Sequence, residues 1–209
     1  LASMRHELGL DRPAAERYVE WLSHAARGDL GKSLVNQRDV ARDLAPRLYN
    51  TFFLAVYAAL IAVPIAILLG VLAAARQGRL FDSGANTLTL LAISLPEYFL
   101  GYLLIKWIAL RLGWFPVLSN VAPETGFLAR LHLSFLPMLT LVLVIIAHMM
   151  RMTRASVLAV MSSPYIEMAF LKGLPKWRIV VEHALPNALA PIINVVALNL
   201  AYLIVGVVV

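Results

Sequence analysis

The polar residues that lie inside long apolar stretches are the first candidates for chemistry in this sequence. Glu97 follows Pro96 near the middle of one stretch, and Asn187 and Asn194 lie in the last one. Because polar groups are costly in hydrocarbon, such residues either line a polar pathway or make hydrogen bonds within a helix bundle. Both roles are open for Glu97. For Asn187, Asn194 and Asn199 we expect chiefly hydrogen bonds between helices, with pathway contact as the alternative.

The sequence carries no familiar arrangement of catalytic residues. It contains no H-E-x-x-H, G-x-S-x-G or Walker G-x-x-x-x-G-K-[ST] pattern, which argues against a zinc protease, a serine hydrolase and an ATPase. Glu182 and His183 are adjacent, so on a helix they point about 100° apart and suit a shared metal poorly. The 209 residues include no cysteine, which excludes disulfides and thiolate chemistry. We predict neither a catalytic nor a metal site.

Composition indicates which elements must position these polar residues. Hydrophobic residues make up 61% of the chain and charged residues 14%, against about 45–50% and about 25% in soluble proteins. Four apolar stretches reach roughly the 17–25 residues that a helix needs to cross a bilayer. They are residues 48–75, 87–110, 133–150 and 186–209. We predict an all-α membrane protein, a bundle of about four spanning helices.

Each predicted span contains a proline. The four are Pro64, Pro96, Pro137 and Pro191. Proline removes a backbone hydrogen bond, and lipid-embedded helices tolerate it when neighbouring helices or polar side chains satisfy the freed carbonyl. We therefore expect bent helices packed against one another.

Residues 1–47 have the pattern of a folded segment outside the membrane domain, 48–209. Pro13 suits the first position of a helix, and Gly28 suits its C-terminal stop. The apolar residues between them share one helix face: Tyr18, Trp21, Leu22 and Ala25. This spacing predicts a short amphipathic helix that lies on a surface.

Charge gives a first indication of orientation and partners. The net charge is +6, but the 18 basic residues form no stripe or motif typical of nucleic-acid binding. Residues 1–47 and loop 111–132 together hold ten Lys and Arg, whereas loops 76–86 and 151–185 hold seven. Counting alone would place the first group in the cytoplasm. The seven acidic residues of segment 1–47 weaken that argument.

The stretch SPYIEMAFLKGLPKWRIVVEHALPNAL, residues 163–189, predicts a helical hairpin between the last two spans. Ser163 suits the N-cap of its first helix, Pro164 the first helical position, and Gly173 the left-handed conformation that ends a helix. A helix of about nine residues is marginal on its own, so it needs a surface to pack on.

A second hairpin helix is predicted to begin at Pro175 and to run to about Leu185, before Pro186 opens the next span. The first hairpin helix is more apolar than a solvated loop requires. Its apolar residues are Tyr165, Ile166, Met168, Phe170 and Leu171. Such a patch indicates an interaction site. Packing on the chain's own bundle is the alternative.

The hairpin resembles the EAA loop of bacterial ABC importer permeases, whose pattern is E-A-A, three residues, G, nine residues, then I-x-L-P. The matching residues are Glu167, Ala169, Gly173, Leu185 and Pro186. Met168 replaces the first of the two alanines, and His183 replaces the isoleucine. Histidine at that place is usual in the dipeptide, oligopeptide and nickel branch of the family.

Further stretches resemble blocks of that branch in the same order. They are LGLDRPAAERYVEWLSHAARGDLGKSL (residues 8–34), LGVLAAARQGRLFD, SLPEYFLGYLLI, LGWFP, RMTRASVL and HALPNALAPII. The resemblance implies the fold of a type I ABC importer permease. The full protein would have six spanning helices, of which this chain would hold helices two to five, with one further helix beyond each end.

The resemblance also assigns sides, against the charge count. It implies that residues 1–47 and loop 111–132 are extracytoplasmic, and that loop 151–185 is a cytoplasmic coupling hairpin that docks in a groove of an ATPase subunit. The implied coupling residues are Tyr165, Glu167, Ala169, Gly173, Leu185 and Pro186. For Glu167, an ion pair within the loop or a helix N-terminal charge is the alternative. For Arg151 and Arg154 we expect contact with lipid headgroups rather than with the ATPase.

The implied function is that of a multi-pass permease subunit in the bacterial cytoplasmic (inner) membrane, importing a peptide or a related solute such as a nickel complex, an opine or glutathione. The implied partners are a second homologous permease, two ATP-binding subunits, an extracytoplasmic solute-binding protein and membrane lipid, with no nucleic acid. ATP and Mg would be bound by the partner subunits, so the chain would be no enzyme and hold no cofactor. A membrane-embedded enzyme or a channel without an ATPase is the alternative.

Overall fold

The computed structural model describes residues 12–208, with side chains as far as Ile204. This part of the chain is all-α, as predicted, and its β-pairing is confined to one isolated bridge between Lys32 and Asp39. The α-helices are α1 (Ala14–Ala25), α2 (Val40–Ala75), α3 (Leu80–Ser94), α4 (Glu97–Leu104), α5 (Phe127–Leu133), α6 (Phe135–Met161), α7 (Pro164–Leu171), α8 (Lys176–Arg178) and α9 (Leu185–Val208). Two π-helical segments, Ile105–Arg111 and Ile179–Ala184, extend α4 and join α8 to α9.

Contacts within the chain divide it into two units after Asn50. The predicted boundary at residue 47 lies three residues earlier, inside α2, which begins at Val40. In the first unit, Pro13 occupies the N-cap of α1 rather than its first turn, and Gly28 adopts a φ of 85° just beyond the helix, as expected of a stop. None of the side chains of α1 is buried.

A short loop connects α1 to α2 within the first unit. Asp29 accepts hydrogen bonds from the backbone N–H of Gly31 (3.0 Å) and from Nδ1 of His24 (3.1 Å). The bond from Gly31, with a smaller contribution from His24, lowers the pKa of Asp29 below its ordinary value. The backbone N–H of Val40, the first residue of α2, donates to the carbonyl of Gly31 at 3.0 Å.

Among the described residues, three helical stretches are long and apolar enough to cross a membrane: Val40–Ala75, Phe135–Met161 and Lys176–Ile204. Leu80–Ser94 and Glu97–Arg111 are bent by 100° relative to each other, and counted together as one span they bring the number to four. The predicted span 87–110 is therefore a broken helix. The cause is Pro96, which lacks an N–H and disfavours helical geometry at Leu95, whose φ and ψ are −90° and 132°.

In the second unit, α6 is the central helix and packs against α3, α4 and α9. Alanines of α2 are buried against methionine and branched side chains of α6: Ala55, Ala58, Ala62 and Ala66 on α2, and Met138, Val142, Ile145 and Met149 on α6. Small residues allow helices in lipid to approach closely. The closest approach is at Gly70, where an added Cβ would lie 2.7 Å from Cβ of Thr153.

A second core cluster lies at the end of the bundle where α6 meets α7. It joins the last turn of α2, the end of α6, the hairpin and the start of α9. Its buried members are Ala74, Val157, Ile166, Ala169, Ile179, Val180, Ala184, Ala188 and Ile192. The hairpin is therefore packed firmly onto the spanning helices of its own chain.

Candidate functional site

The first hairpin helix, α7, begins and ends as predicted, with one difference in its capping. Pro164 is its first residue, and Ser163 occupies the N-cap with extended backbone angles. The hydroxyl of Ser163 donates back to the carbonyl of Val160 (2.5 Å) instead of accepting a bond from the helix. Ser163 is therefore the N-cap residue, as predicted, but its side chain makes no capping bond. The carbonyl of Ser163 accepts the N–H groups of Ile166 and Glu167.

Gly173 ends α7 in the left-handed conformation predicted for it, with a φ of 78°. Its N–H donates to the carbonyl of Phe170 (2.9 Å), and the N–H of Leu174 donates to the carbonyl of Ala169 (3.3 Å). These two bonds form a Schellman motif, which satisfies carbonyls that the helix end would leave without partners. The turn between the two hairpin helices is thus fully hydrogen-bonded and compact.

The two faces of α7 have different environments. Ile166 and Ala169 are buried in the second core cluster, with exposed fractions of 0% and 5%. The opposite face carries exposed residues: Tyr165, Glu167, Met168, Phe170 and Leu171. The exposed fraction reaches 55% at Met168 and 75% at Leu171. The packing of α7 on its own bundle is therefore observed for the face of Ile166 and Ala169, and the interaction site stays a prediction for the exposed residues.

Ala169 requires a correction. The family resemblance places Ala169 among the coupling residues, but its side chain is buried in the second core cluster of its own chain. The physical reason is the helical period, because Ala169 lies three residues after Ile166 and both point into the same core. A small residue at this position lets α7 approach the bundle.

The second hairpin helix does not stop before the last span. It runs from Lys176 through the π-helical segment Ile179–Ala184 directly into α9, which begins at Leu185. The last α-helix thus begins next to Pro186, as predicted, but it is continuous with the second hairpin helix. Proline lacks an N–H and crowds the carbonyl four residues earlier, and a π-helical turn widens the helix there without ending it. Leu185 is partly buried against the second core cluster, and Pro186 is exposed.

One carbonyl connects the two hairpin helices. The hydroxyl of Tyr165 on α7 donates to the backbone oxygen of His183 (3.3 Å), and Nδ2 of Asn187 donates to the same oxygen (2.7 Å). Tyr165 and Asn187 also line one shallow cavity beside the hairpin. Asn187 and Asn199, whose Nδ2 donates to the carbonyl of Val195 (2.8 Å), bond within their own helix rather than between helices as expected. Asn194 is exposed on α9.

Glu97 lies in the first turn of α4, directly after the break at Pro96, and its side chain is exposed. It lines two cavities of about 380 and 470 Å³. The larger cavity also includes His148, Asn199 and Tyr202. Glu97 thus faces open space beside other polar groups. Its pathway role stays a prediction, as does the alternative of a structural hydrogen-bonding role.

An ion pair between α3 and α6 was not predicted. Arg154 bonds Asp82, so the expected contact of Arg154 with lipid headgroups is wrong. Asp82 also accepts hydrogen bonds from the N–H of Gly78 and from Nδ2 of Asn86, each at 3.0 Å. The signal in the sequence was an acidic residue just before one apolar stretch, 87–110, and a basic residue just after another, 133–150. Sequence spacing could not pair residues so far apart.

The apolar helices form a bundle of the kind found in polytopic membrane proteins. A hairpin that turns at Gly173 leads into the last span, as in the permeases that the sequence resembles. The chain belongs to the family of binding-protein-dependent transport system inner membrane components, whose pattern matches residues 66–209. It is accordingly a multi-pass inner-membrane protein with the fold of a type I ABC importer permease.

Curated relatives support this assignment. A probable peptide ABC transporter permease protein of Sinorhizobium fredii is 36% identical over 100% of this chain and 66% of its own length. The di/tripeptide transport system permease protein DppB of Pseudomonas aeruginosa is 34% identical over 98% of this chain and 67% of its own length. The glutathione transport system permease protein GsiC of Escherichia coli is 34% identical, with coverages of 97% and 64%. The chain spans about two thirds of the length of these relatives.

Proposed function

We propose that this chain is part of a permease subunit of an ATP-driven importer, and that its cargo is a peptide or a related small solute. The proposal is supported by the family, which is described as binding-protein-dependent. It is also supported by the names of similar permeases, which specify peptide, di/tripeptide and glutathione transport. The chain would form the pathway together with a second homologous permease, and an extracytoplasmic binding protein would deliver the cargo.

The exposed face of α7 is the observation that carries this proposal. Met168 and Leu171 are largely exposed on a helix whose other face is firmly packed. A rigidly mounted apolar patch that the chain does not itself cover indicates a protein partner. We assign the two ATP-binding subunits as the partners of the two permeases, with Glu167 near a basic side chain of the ATPase. ATP and Mg would be bound there, and this chain would contribute no cofactor site.

The connection between hairpin and span suggests how coupling works. The α8 helix continues through its π-helical segment into α9, and Tyr165 ties α7 to the carbonyl of His183 in that segment. Closure of two ATPase subunits around ATP would therefore move α7 and α9 together as one body. Such rigid-body movement of packed helices is the usual basis of alternating access.

We also propose that Glu97 lines the translocation pathway. It is the first residue of α4, directly after the break at Pro96, and it lines both cavities. A carboxylate near the middle of a membrane domain would attract the positively charged amino group of a peptide. Asn187 and Asn194, on the exposed side of α9, are assigned a secondary role as pathway contacts.

The assembly part of the proposal is tested by copurification of the full-length permease with its ATPase subunits. Leu171→Asp should lower the ATPase-to-permease ratio several-fold, while permease abundance in the membrane stays near normal. The matched control is Leu128→Asp, because Leu128 is 79% exposed but lies on α5, at the opposite end of α6. An unchanged ratio in the Leu171 variant would contradict the assignment of this face as the ATPase contact. Recovery of the unmodified permease without any ATPase would instead favour a channel or a membrane-embedded enzyme.

The cargo is tested separately, through the solute-binding protein that works with this permease. Mass spectrometry of the small molecules that copurify with that protein should identify short peptides. Recovery of a nickel complex or an opine instead would overturn the peptide assignment and leave the importer assignment intact.

A further inference from the structure

The amphipathic helix α1 has a broad apolar face that the described chain leaves open. At about 100° per residue, the residues of this face fall within an arc of about 160°. They are Ala14, Ala15, Tyr18, Val19, Trp21, Leu22 and Ala25. The exposed fractions of Tyr18, Val19 and Trp21 are 61%, 65% and 54%. An exposed apolar surface of this size indicates contact with a protein or a membrane rather than with water.

The opposite arc of α1 is polar and nearly balanced in charge. It holds Glu16, Arg17, Glu20, Ser23 and His24. Arg12 pairs with Glu20 at 2.7 Å along this side. A helix with one apolar face containing Tyr and Trp and one charged face suits the interface between headgroups and acyl chains, where aromatic rings with a polar edge accumulate.

Hydrogen bonds hold the end of α1 close to the start of the first spanning helix. His24 bonds to Asp29, Asp29 accepts from Gly31, and the carbonyl of Gly31 accepts from Val40. Only five residues separate Ala25 from Gly31 along the chain. The helix is therefore anchored at the N-terminus of α2 and cannot move far from it.

The position of that anchor places α1 near the lipid surface. The polar first two turns of α2, Val40–Arg47, extend about 12 Å along the helix axis before the apolar stretch begins. Headgroup layers add roughly 5–8 Å to each side of the hydrocarbon core. The anchor at Val40 thus lies just outside the headgroup layer, within reach of α1.

We infer that α1 is an interfacial membrane helix, which lies in the plane of the bilayer surface with Tyr18, Trp21 and Leu22 inserted among the lipids. The occupant of its apolar face is phospholipid. Because the charges of its polar face nearly cancel, apolar burial rather than charge attraction holds the helix in place. This inference does not depend on what the permease transports or on which ATPase it binds.

The test uses single cysteines, for which this stretch offers a background without native cysteine. Leu22→Cys and Glu20→Cys are introduced separately into the full-length permease within its complex and labelled with a nitroxide. The two positions lie about 160° apart on α1. The complex is reconstituted into nanodiscs of phosphatidylcholine and phosphatidylglycerol. Collisions of each label with oxygen, which partitions into lipid, and with a water-soluble nickel chelate are then measured.

The expected result is a ratio of oxygen to nickel accessibility that is several-fold higher at Leu22 than at Glu20. Equal ratios with free access of nickel would show that the apolar face is in water and would overturn the inference. Shielding of the Leu22 label from both oxygen and nickel would show that protein covers the face and would also overturn it. Quenching of Trp21 fluorescence by brominated lipid, in a variant with Trp107, Trp114 and Trp177 replaced by Phe, gives a second measurement that leaves Leu22 intact.

Discussion

Arg154 donates hydrogen bonds to both carboxylate oxygens of Asp82, with Nε 2.5 Å from Oδ1 and Nη2 2.8 Å from Oδ2. The two residues are 72 positions apart and join α3 to α6. The side chain of Asp82 is 5% exposed and that of Arg154 is 22% exposed. A bidentate pair with this geometry is strong, and the bonds from Gly78 and Asn86 occupy the remaining acceptor sites of the carboxylate.

Removal of one partner should be worse than removal of both. Asp82→Ala leaves Arg154 without its counter-charge and should lower the free energy of unfolding by about 3 kcal/mol, near the low end for buried pairs because Arg154 is partly exposed. The double variant Asp82→Ala with Arg154→Met should recover part of that loss. Thermal denaturation of the full-length permease in detergent measures both. Equal losses in the Asp82→Ala and double variants would contradict the claim that an unpaired Arg154 is itself destabilising.

Gly70 should tolerate no side chain. An added Cβ would lie 2.7 Å from Cβ of Thr153 and 2.8 Å from the carbonyl oxygen of Met150. Gly70→Ala should therefore force α2 away from α6 and cost about 1–3 kcal/mol. The matched control is Gly84→Ala on α3, where an added Cβ meets nothing within 4 Å. The control should be neutral or stabilising by up to about 1 kcal/mol, because alanine favours helix. A similar shift of melting temperature in both variants would contradict this account.

Gly173 should be sensitive because of its backbone conformation, since nothing lies within 4 Å of an added Cβ. With a φ of 78°, Gly173→Val should cost about 1–2 kcal/mol or more in local strain and displace α7. Gly173→Asn is the control, because asparagine tolerates the left-handed region better than valine does. The expected result is a lower ATPase-to-permease ratio for the valine variant than for the asparagine variant, with both proteins in the membrane. Identical ratios would show that the turn is not needed for assembly.

Enlarging Ala169 should affect the permease itself before it affects a partner. Its side chain is buried against α7's own bundle, so Ala169→Phe should overpack the second core cluster by about 1–3 kcal/mol. Membrane abundance or thermal stability should fall, and ATPase recovered per permease should change less than in the Leu171→Asp variant. Normal abundance together with a sharply reduced ratio would instead place Ala169 at the partner surface.

The orientation implied by family resemblance is open to a labelling test. Ser23 on α1 and Ser162 between α6 and α7 are both exposed. In whole cells with a permeabilised outer membrane, an impermeant thiol reagent should label Ser23→Cys, and Ser162→Cys should react only after the inner membrane is opened. The reverse pattern would restore the orientation given by counting Lys and Arg.

Much of the fold followed from the sequence because hydrophobicity and glycine act locally. The length of an apolar run predicts a span, and the positive φ of Gly173 follows from a glycine placed just past a helix. Pro96 also acted as expected, except that it broke its span instead of bending it. Pro186 lies at the start of the last α-helix, as expected, and the π-helical segment before it keeps the helical path continuous.

Which neighbour a side chain contacts could not be predicted in the same way. Whether Ala169 points to a partner or to its own bundle depends on where the whole of α7 is packed, which its own residues do not specify. The bond between Arg154 and Asp82 depends on how α3 and α6 are brought together. The intrahelical bonds of Asn187 and Asn199 show a further limit, because an amide can be satisfied by its own helix as readily as by a neighbour.

The continuous helical path from Lys176 to Ile204 has a consequence for how movement of the hairpin would be transmitted. These 29 residues form a rod of about 44 Å, since each helical residue rises about 1.5 Å. A tilt of about 5° imposed at the hairpin would carry the far end of this rod sideways by roughly 4 Å, more than the width of a water molecule. Ile179, Val180 and Ala184 brace the π-helical segment of the rod against the core, so little of the tilt would be lost in bending. In the proposed coupling, a small tilt of the hairpin would therefore become a larger sideways displacement at the opposite end of the span.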